Sequence, residues 1–140
     1  MKKIMILLAI VGLYATACAG TTGGGVQFQE TSMKELMERS AKSDKLIFVD
    51  VYADWCPPCR YMADSVFTKE KAGAYFNKEF INAKFDAEKG EGIDVARKYR
   101  VEAYPTFLVL DSTGKEVGRI VGGDEIDRFI QKVKQLIGTN

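Results

Sequence analysis

An apolar run over residues 45–53, KLIFVDVYA, fixes the kind of sheet that this chain can build. Its side chains are mostly β-branched or aromatic, and Asp50 is the one charged residue after the opening lysine. A strand with one solvated face alternates apolar and polar residues, whereas this run is apolar on both faces. It therefore predicts a central strand that is covered by helices on both sides.

The rest of the chain alternates between strand-like and helix-like patterns, in the predicted order β-α-β-α-β-α-β-β-α. Besides residues 45–53, strand patterns occupy residues 26–29, 80–86, 106–110 and 116–121. Helical patterns begin at the Ser32/Glu35 capping box, after Cys56, near residues 71–77, around residues 93–99 and at Asp124, which we expect to cap the last helix. This order predicts an α/β fold whose central mixed sheet has four to five strands, parallel in its first part and antiparallel at the closing hairpin.

The first 18 residues have the layout of a secretory signal. Lys2 and Lys3 precede an apolar run of about twelve residues, and small residues follow it. A membrane-spanning helix needs about 20 apolar residues, so this run is too short to be one. We therefore predict a signal peptide at residues 1–18, a flexible linker at 19–25 and one domain at 26–140, exported to the bacterial periplasm or cell envelope.

The end of the leader allows two interpretations. Ala15-Thr16-Ala17-Cys18 resembles a bacterial lipobox, in which the cysteine is lipidated and becomes the new N-terminus. The small residues up to Ala19 also suit an ordinary signal peptidase cut. We favour lipidation of Cys18, because a free cysteine is out of place at a mature N-terminus in an oxidising compartment. The glycine-rich linker would then tether the domain to the membrane.

Composition removes several classes of chemistry. The chain has no histidine, which excludes Ser-His-Asp and Cys-His catalysis and every His-ligated metal site. The formal charge is +1, from 20 Lys+Arg against 19 Asp+Glu, and gives no field that would attract nucleic acid. The chemistry must then come from the three cysteines, the carboxylates or the lysines. We expect no metal and no cofactor.

Cys56 and Cys59 are separated by two residues, directly after the central strand and at the start of a helix. This spacing allows the sulfurs to form a disulfide, and unpaired N–H groups at a helix N-terminus stabilise a thiolate. We therefore predict that Cys56 is an exposed nucleophile of lowered pKa and that Cys59, one turn inward, resolves the mixed disulfide. Pro57 and Pro58 suit the first helical turn and stiffen the ring.

Three other roles for the cysteine pair are less favoured. A structural disulfide over so short a loop would stabilise the fold little. Zinc needs four ligands, which two thiolates without histidine do not supply. Haem attachment requires a histidine after the second cysteine, where this chain has Arg60.

The segment Trp55-Cys56-Pro57-Pro58-Cys59-Arg60 is similar to the active-site segment of the thioredoxin family, and the resemblance extends over residues 28–138. Residues 49–54 look like that family's active-site strand, Tyr104-Pro105-Thr106 resembles its cis-proline segment, and Gly122-Gly123 stands where the family has a substrate-lining glycine. Residues 62–68 resemble exported thioredoxin-like proteins and the C-terminal domain of membrane thiol:disulfide interchange proteins.

The resemblance implies roles for further residues. Asp50, whose pKa burial should raise, would accept the proton of Cys59, and Lys84 resembles the lysine that neighbours this acid. Substrate would be bound around the pair by Trp55, Pro57, Pro58, Tyr104, Pro105 in cis and Gly122. Each role has a plain alternative: Asp50 facing water, Lys84 solvated on its strand, Trp55 filling the core, Pro105 in trans, and Gly122 as a turn residue.

The resemblance therefore implies an exported thiol:disulfide oxidoreductase that reduces protein disulfides without a cofactor. Its expected partners are protein disulfide substrates and a membrane-borne electron donor, and we expect a monomer. The alternatives are a disulfide oxidase or isomerase, a reductant dedicated to cytochrome maturation, and a non-catalytic envelope lipoprotein that keeps the fold as an interaction module.

Overall fold

The computed structural model describes residues 24–139, which form four strands and five α-helices. The strands are β1 (Leu46–Tyr52), β2 (Phe80–Asp86), β3 (Thr106–Leu110) and β4 (Glu116–Val121). The helices are α1 (Met33–Ser43), α2 (Pro57–Tyr61), α3 (Glu70–Glu79), α4 (Glu91–Lys98) and α5 (Ile126–Leu136), with a π-helical turn at Met62–Val66 directly after α2. The predicted signal peptide, Cys18 and the linker up to residue 23 lie outside the described residues. Within residues 24–139, none of the helices has the length and apolar character needed to cross a bilayer.

Strand β1 lies inside the sheet, whose strand order is β2-β1-β3-β4. It pairs in parallel with β2 and antiparallel with β3, and β3 and β4 form the closing hairpin. All residues of β1 from Ile47 to Val51 are buried, because the sheet is covered on both faces. The prediction of a central strand in a mixed sheet is confirmed.

The helices divide between the two faces of the sheet, and each face has its own apolar core. On one face, Ile47, Val49 and Val51 pack with side chains of α1 and α4. On the other face, Phe48 packs among side chains of α3 and α5. The centroid of its ring lies 4.6 to 6.2 Å from those of Phe67, Phe76, Phe80, Phe107 and Phe129. Alternating side chains of one strand thus contribute to both cores.

The predicted strand at residues 26–29 is wrong, because the segment makes a single parallel bridge, to Ala83. Two of its other backbone N–H groups bind partners outside β2. The Val26 N–H donates to the Phe67 carbonyl oxygen (2.7 Å), and the Gln27 N–H donates to a side chain of α3 (2.8 Å). A continuous ladder along β2 would need the Gln27 N–H, which lies two residues before the Gln29 N–H that bonds to β2. The described sheet therefore has four strands.

The two predicted helix caps have different outcomes. Ser32 Oγ accepts a hydrogen bond from the backbone N–H three residues later (3.2 Å) and caps α1 as predicted. Asp124 does not cap α5, whose N-cap residue is Glu125. The Asp124 carboxylate instead forms ion pairs with Arg128 Nε (2.7 Å) and Lys132 Nζ (2.8 Å). The carboxylate also accepts a hydrogen bond from the Glu125 backbone N–H (2.8 Å), so the two stronger charged partners hold it one position before the N-cap.

Candidate active site

A disulfide joins Cys56 and Cys59 just beyond the C-terminal end of β1. Cys56 is the N-cap residue of α2, and Pro57 and Pro58 occupy its first positions, where a missing N–H breaks no helical bond. Cys56 Sγ accepts a hydrogen bond from the Cys59 N–H (3.3 Å), and the two Cα atoms are 5.3 Å apart. The strand, turn and helix thus bring the two cysteines together as the sequence predicts.

Both cysteines are buried in this disulfide form, with 2% of Cys56 and 4% of Cys59 exposed. Ala53 belongs to the same buried cluster, and the half-buried Tyr52 and Tyr104 pack against it. The prediction of an exposed first cysteine is therefore wrong for the oxidised protein. The bond to Cys59 and these neighbours together cover Cys56.

Trp55 lies on the surface next to the disulfide, and 61% of it is exposed. Its indole Nε1–H donates a hydrogen bond to Glu88 Oε1 (2.9 Å). Its ring meets that of Tyr104 edge to face, with 6.2 Å between the centroids. The alternative that Trp55 fills the core is excluded, and the two aromatic rings form an apolar surface beside Cys56.

The segment before β3 contacts the connection between β4 and α5. The Tyr104–Pro105 peptide bond is cis, and the Pro105 carbonyl oxygen accepts a hydrogen bond from the Gly122 N–H (2.9 Å). Gly122 has a φ of 87°, in the left-handed region that favours glycine, and a Cβ there would meet no atom within 4 Å. A Cβ on Gly123 would lie 3.1 Å from the Met62 side chain. The two glycines therefore leave open space beside Pro105 and let the connection approach the end of α2.

Asp50 is a buried carboxyl in the middle of β1, with 4% of the residue exposed. Its Oδ1 atom has no hydrogen-bond partner. Burial raises the pKa of Asp50 from 3.8 to about 7, although the charge of Lys84 acts in the opposite direction. The alternative of a strand-end acid that faces water is excluded.

Asp50 and Cys59 line one cleft, which we call the disulfide-side cleft. It has a volume of about 360 Å³ and is also lined by Tyr52, Ala53, Asp54, Arg60, Ala63 and Lys84. A carboxyl group and a buried cysteine that share a cleft can exchange a proton directly or through water. Within residues 24–139, no three His, Cys, Asp or Glu side chains come together as a metal site would require.

Lys84 is exposed and acts on Asp50 through its charge. The two residues are paired in the parallel register of β1 and β2, and the Lys84 charge lowers the pKa of the Asp50 carboxyl. Its Nζ atom lies 6.0 Å from the centroid of the Tyr52 ring. Lys84 therefore stands near the predicted acid, with its ammonium over a neighbouring aromatic ring.

Sequence reasoning missed two residues of the loop that follows β2. Glu88 holds the indole of Trp55, and Lys89 forms ion pairs with Asp54 and Asp86. These contacts join the loop after β2 to the turn after β1. The signal that could have found them is the parallel pairing of the two strands, which brings their carboxyl ends to the same edge of the sheet.

Comparison with known proteins places this site in a family. Residues 27–135 match the family model described as Thioredoxin. Thioredoxin H2-1 of Oryza sativa subsp. japonica is 42% identical to the chain over 102 residues, which are 71% of this chain and 69% of that protein.

Two solved structures of bacterial proteins share the fold of this chain. The solution structure of a candidate disulphide-isomerase from Bacteroides thetaiotaomicron has 40% sequence identity and a TM-score of 0.74, covering 84% of this chain and 97% of that one. The oxidised C-terminal domain of DsbD from Neisseria meningitidis has 25% identity and a TM-score of 0.62, covering 79% and 98% of the two chains. The chain therefore resembles such a domain in its overall fold as well as in residues 62–68.

Proposed function

The chain belongs to the thioredoxin family, and on that basis we propose that it reduces protein disulfides as an exported enzyme of the bacterial cell envelope. The observation that carries the proposal is the Cys56–Cys59 disulfide next to a buried carboxyl. Together these groups supply a nucleophile, a resolving thiol and a proton acceptor. The proposed chemistry needs no cofactor.

In the first step, the reduced enzyme attacks a substrate disulfide. The Cys56 thiolate bonds to one substrate sulfur, the substrate S–S bond breaks, and the other substrate sulfur leaves as a thiolate that takes a proton from water. The position of Cys56 as the N-cap of α2 favours its thiolate form. Trp55 and the segment at Tyr104–Pro105 would hold the substrate chain, which can pair with exposed backbone as an added strand.

In the second step, Cys59 releases the substrate. Its thiol gives a proton to the Asp50 carboxylate, its sulfur attacks Cys56 Sγ, and the bond between Cys56 and the substrate breaks. The second substrate sulfur leaves and takes the proton from Asp50. Two electrons have then passed from the enzyme to the substrate, together with one proton from Cys59 by way of Asp50 and one proton from water. The pKa of Asp50, about 7, suits this role, because the group accepts and returns a proton near neutral pH.

Variants of the two cysteines test the reaction. In a Cys18→Ser background, which leaves two of the three cysteines, Cys56→Ser should abolish the reduction of insulin disulfides. Cys59→Ser should stop turnover and accumulate a mixed disulfide between Cys56 and the substrate. Full turnover in both variants would overturn the proposed reaction, and Ser65→Ala, on the exposed side of the π-helical turn, serves as the control.

The proposed location rests on the leader sequence. We propose that Cys18 carries a lipid, that residues 19–25 tether the domain, and that a membrane-borne dithiol returns the Cys56–Cys59 disulfide to its reduced form. Mass spectrometry of the mature protein tests the anchor. A diacylated or triacylated Cys18 is expected, a free N-terminus at Cys18 or Gly20 would exclude the lipid but keep export, and an intact leader would contradict export.

A second candidate function, disulfide isomerisation, is favoured by the Bacteroides thetaiotaomicron neighbour. The two functions differ in the reduction potential of the cysteine pair. Equilibration with glutathione should give a value near the thioredoxin value of about −270 mV if the protein is a reductase. A value near about −180 mV, typical of protein disulfide isomerase, would assign it to isomerisation instead.

A further inference from the structure

Residues 24–29, which we call the strap, lie against the domain and include the last two residues of the predicted linker. The Val26 N–H donates to the Phe67 carbonyl oxygen (2.7 Å), and the Gln27 N–H donates to Asn77 Oδ1 (2.8 Å). The Asn77 side-chain amide in turn donates to the Gly25 carbonyl oxygen (3.2 Å). The strap is therefore held by its backbone to α3 and to the end of the π-helical turn.

The strap fits closely against these elements because a glycine lies at each of two close backbone contacts. A Cβ on Gly25 would clash with the Phe67 carbonyl oxygen. A Cβ on Gly73 of α3 would clash with the carbonyl oxygens of Gly24 and Gly25. One added methyl group at Gly73 is thus enough to push the strap away, while alanine itself favours the helix.

The strap forms a wall of a second cleft that reaches Asp50. This strap-side cleft has a volume of about 440 Å³ and is lined by Gly25, Val26, Gln27, Phe28, Asp50, Ala63, Phe67, Thr68 and Lys84. It shares Asp50, Ala63 and Lys84 with the disulfide-side cleft, which contains Cys59. The Asp50 carboxyl therefore stands between the strap on one side and the redox pair on the other.

The charged and titratable groups around Asp50 are confined to the disulfide-side cleft and to β2. They are Lys84 from β2, Tyr52 from the end of β1, Asp54 from the turn after β1, and Cys59 and Arg60 from α2. The strap residues on the strap-side cleft, Gly25 to Phe28, carry no charge, and neither do Ala63, Phe67 and Thr68. The strap thus faces the unpartnered carboxyl with uncharged groups.

We propose that the docked strap shields the Asp50 carboxyl from water. It forms one wall of the strap-side cleft and limits the water that reaches the carboxyl, so that this acid can hold a proton beside Cys59. The inference deepens the proposed function, on which it rests for the use that is made of the proton. It also connects the linker directly to the redox site, because the strap contains the last two residues of the linker. When the strap is displaced, water should reach the carboxyl and its pKa should fall toward the ordinary value for an aspartate.

The test is a titration of the Asp50 carboxyl carbon by NMR in the oxidised protein. Gly73→Ala displaces the strap by steric contact, and Val26→Pro with Asn77→Ala removes three of its hydrogen bonds. We expect both variants to lower the Asp50 titration midpoint by about one pH unit or more, because the carboxyl gains water. Lys78→Ala, on the exposed side of the same helix, is the control and should leave the midpoint unchanged.

An Asp50 midpoint equal to that of the wild type in both strap variants would overturn the inference. Because the titration is done on the disulfide form and needs no turnover, it can succeed or fail independently of the insulin assay. A second readout is the acid limb of the pH profile of insulin reduction, which should move down by the same amount as the midpoint. A loss of stability alone would lower the rate at all pH values and leave the limb in place.

Discussion

Lys84 lies directly opposite Asp50 in the parallel register of β1 and β2, yet burial of the carboxyl outweighs the charge of the lysine. The pKa of Asp50 is therefore about 7, well above its ordinary value of 3.8. Lys84 is exposed, and water screens much of its field. The outcome is an acid that changes its protonation state in the pH range where thiol–disulfide exchange takes place.

Lys84→Met should raise the pKa of Asp50 further. Removal of the positive charge destabilises the carboxylate, and we expect the acid limb of the insulin-reduction profile to move up by about half a pH unit. Lys42→Met, on the exposed face of α1, is the matched control and should leave the limb in place. If the acid limb moved to lower pH in the Lys84 variant, it would contradict the conclusion that the lysine charge lowers the pKa of Asp50.

Asp50→Asn should stabilise the oxidised protein at pH 8. A carboxyl whose pKa is raised in the folded state holds its proton more tightly there, so stability falls as the pH rises from about 4 through 7. This loss in the free energy of unfolding amounts to at most about 4 kcal/mol, and it is absent in the variant. The gain is smaller than the full loss, because the variant must still bury an amide. Urea unfolding should therefore give a higher free energy of unfolding for the variant at pH 8 and no such advantage at pH 4. An equal difference at both pH values would rule out this explanation.

The strands are the part of the fold that could be predicted most closely. The bounds of β2, β3 and β4 agree with their apolar patterns, because each strand is packed against a helix layer and ends at polar or turn-forming residues. The cysteine spacing, placed after a buried strand, likewise identified the redox pair. These features depend on residues that are close in the sequence.

The failures arise from contacts between distant residues. Residues 26–29 have the pattern of a strand, but the Gln27 N–H is bound by Asn77, 50 residues away. Asp124 is a suitable cap by type, but two cations of α5 bind it instead. Glu88 could not be placed beside the site before the pairing of β1 with β2 was known, and the strap could not be placed without its contacts with Phe67 and Asn77.

Trp55→Ala should weaken substrate binding without changing the chemistry of the pair. The exposed indole beside Cys56 offers a large apolar contact, so we expect kcat/KM for a protein disulfide to fall about tenfold through KM. Glu88→Ala, which frees the indole N–H, should have a smaller effect in the same direction. The reduction potential should be unchanged in both.

Ile93→Ala removes an exposed apolar side chain of α4 and is the control for the Trp55 variant. It should leave KM unchanged. If the Trp55 and Ile93 variants had equal effects on KM, the aromatic surface beside Cys56 would not be a substrate site.

The ionisation of Cys56 in the reduced enzyme tests the account most directly. The rate of its alkylation, measured against pH in the Cys18→Ser protein, reports the fraction of thiolate at the N-cap of α2. We predict a midpoint below about 7.5, in the range of cysteines at helix N-termini. A midpoint at about 8.5 or above, that of an ordinary thiol, would contradict the assignment of Cys56 as the nucleophile.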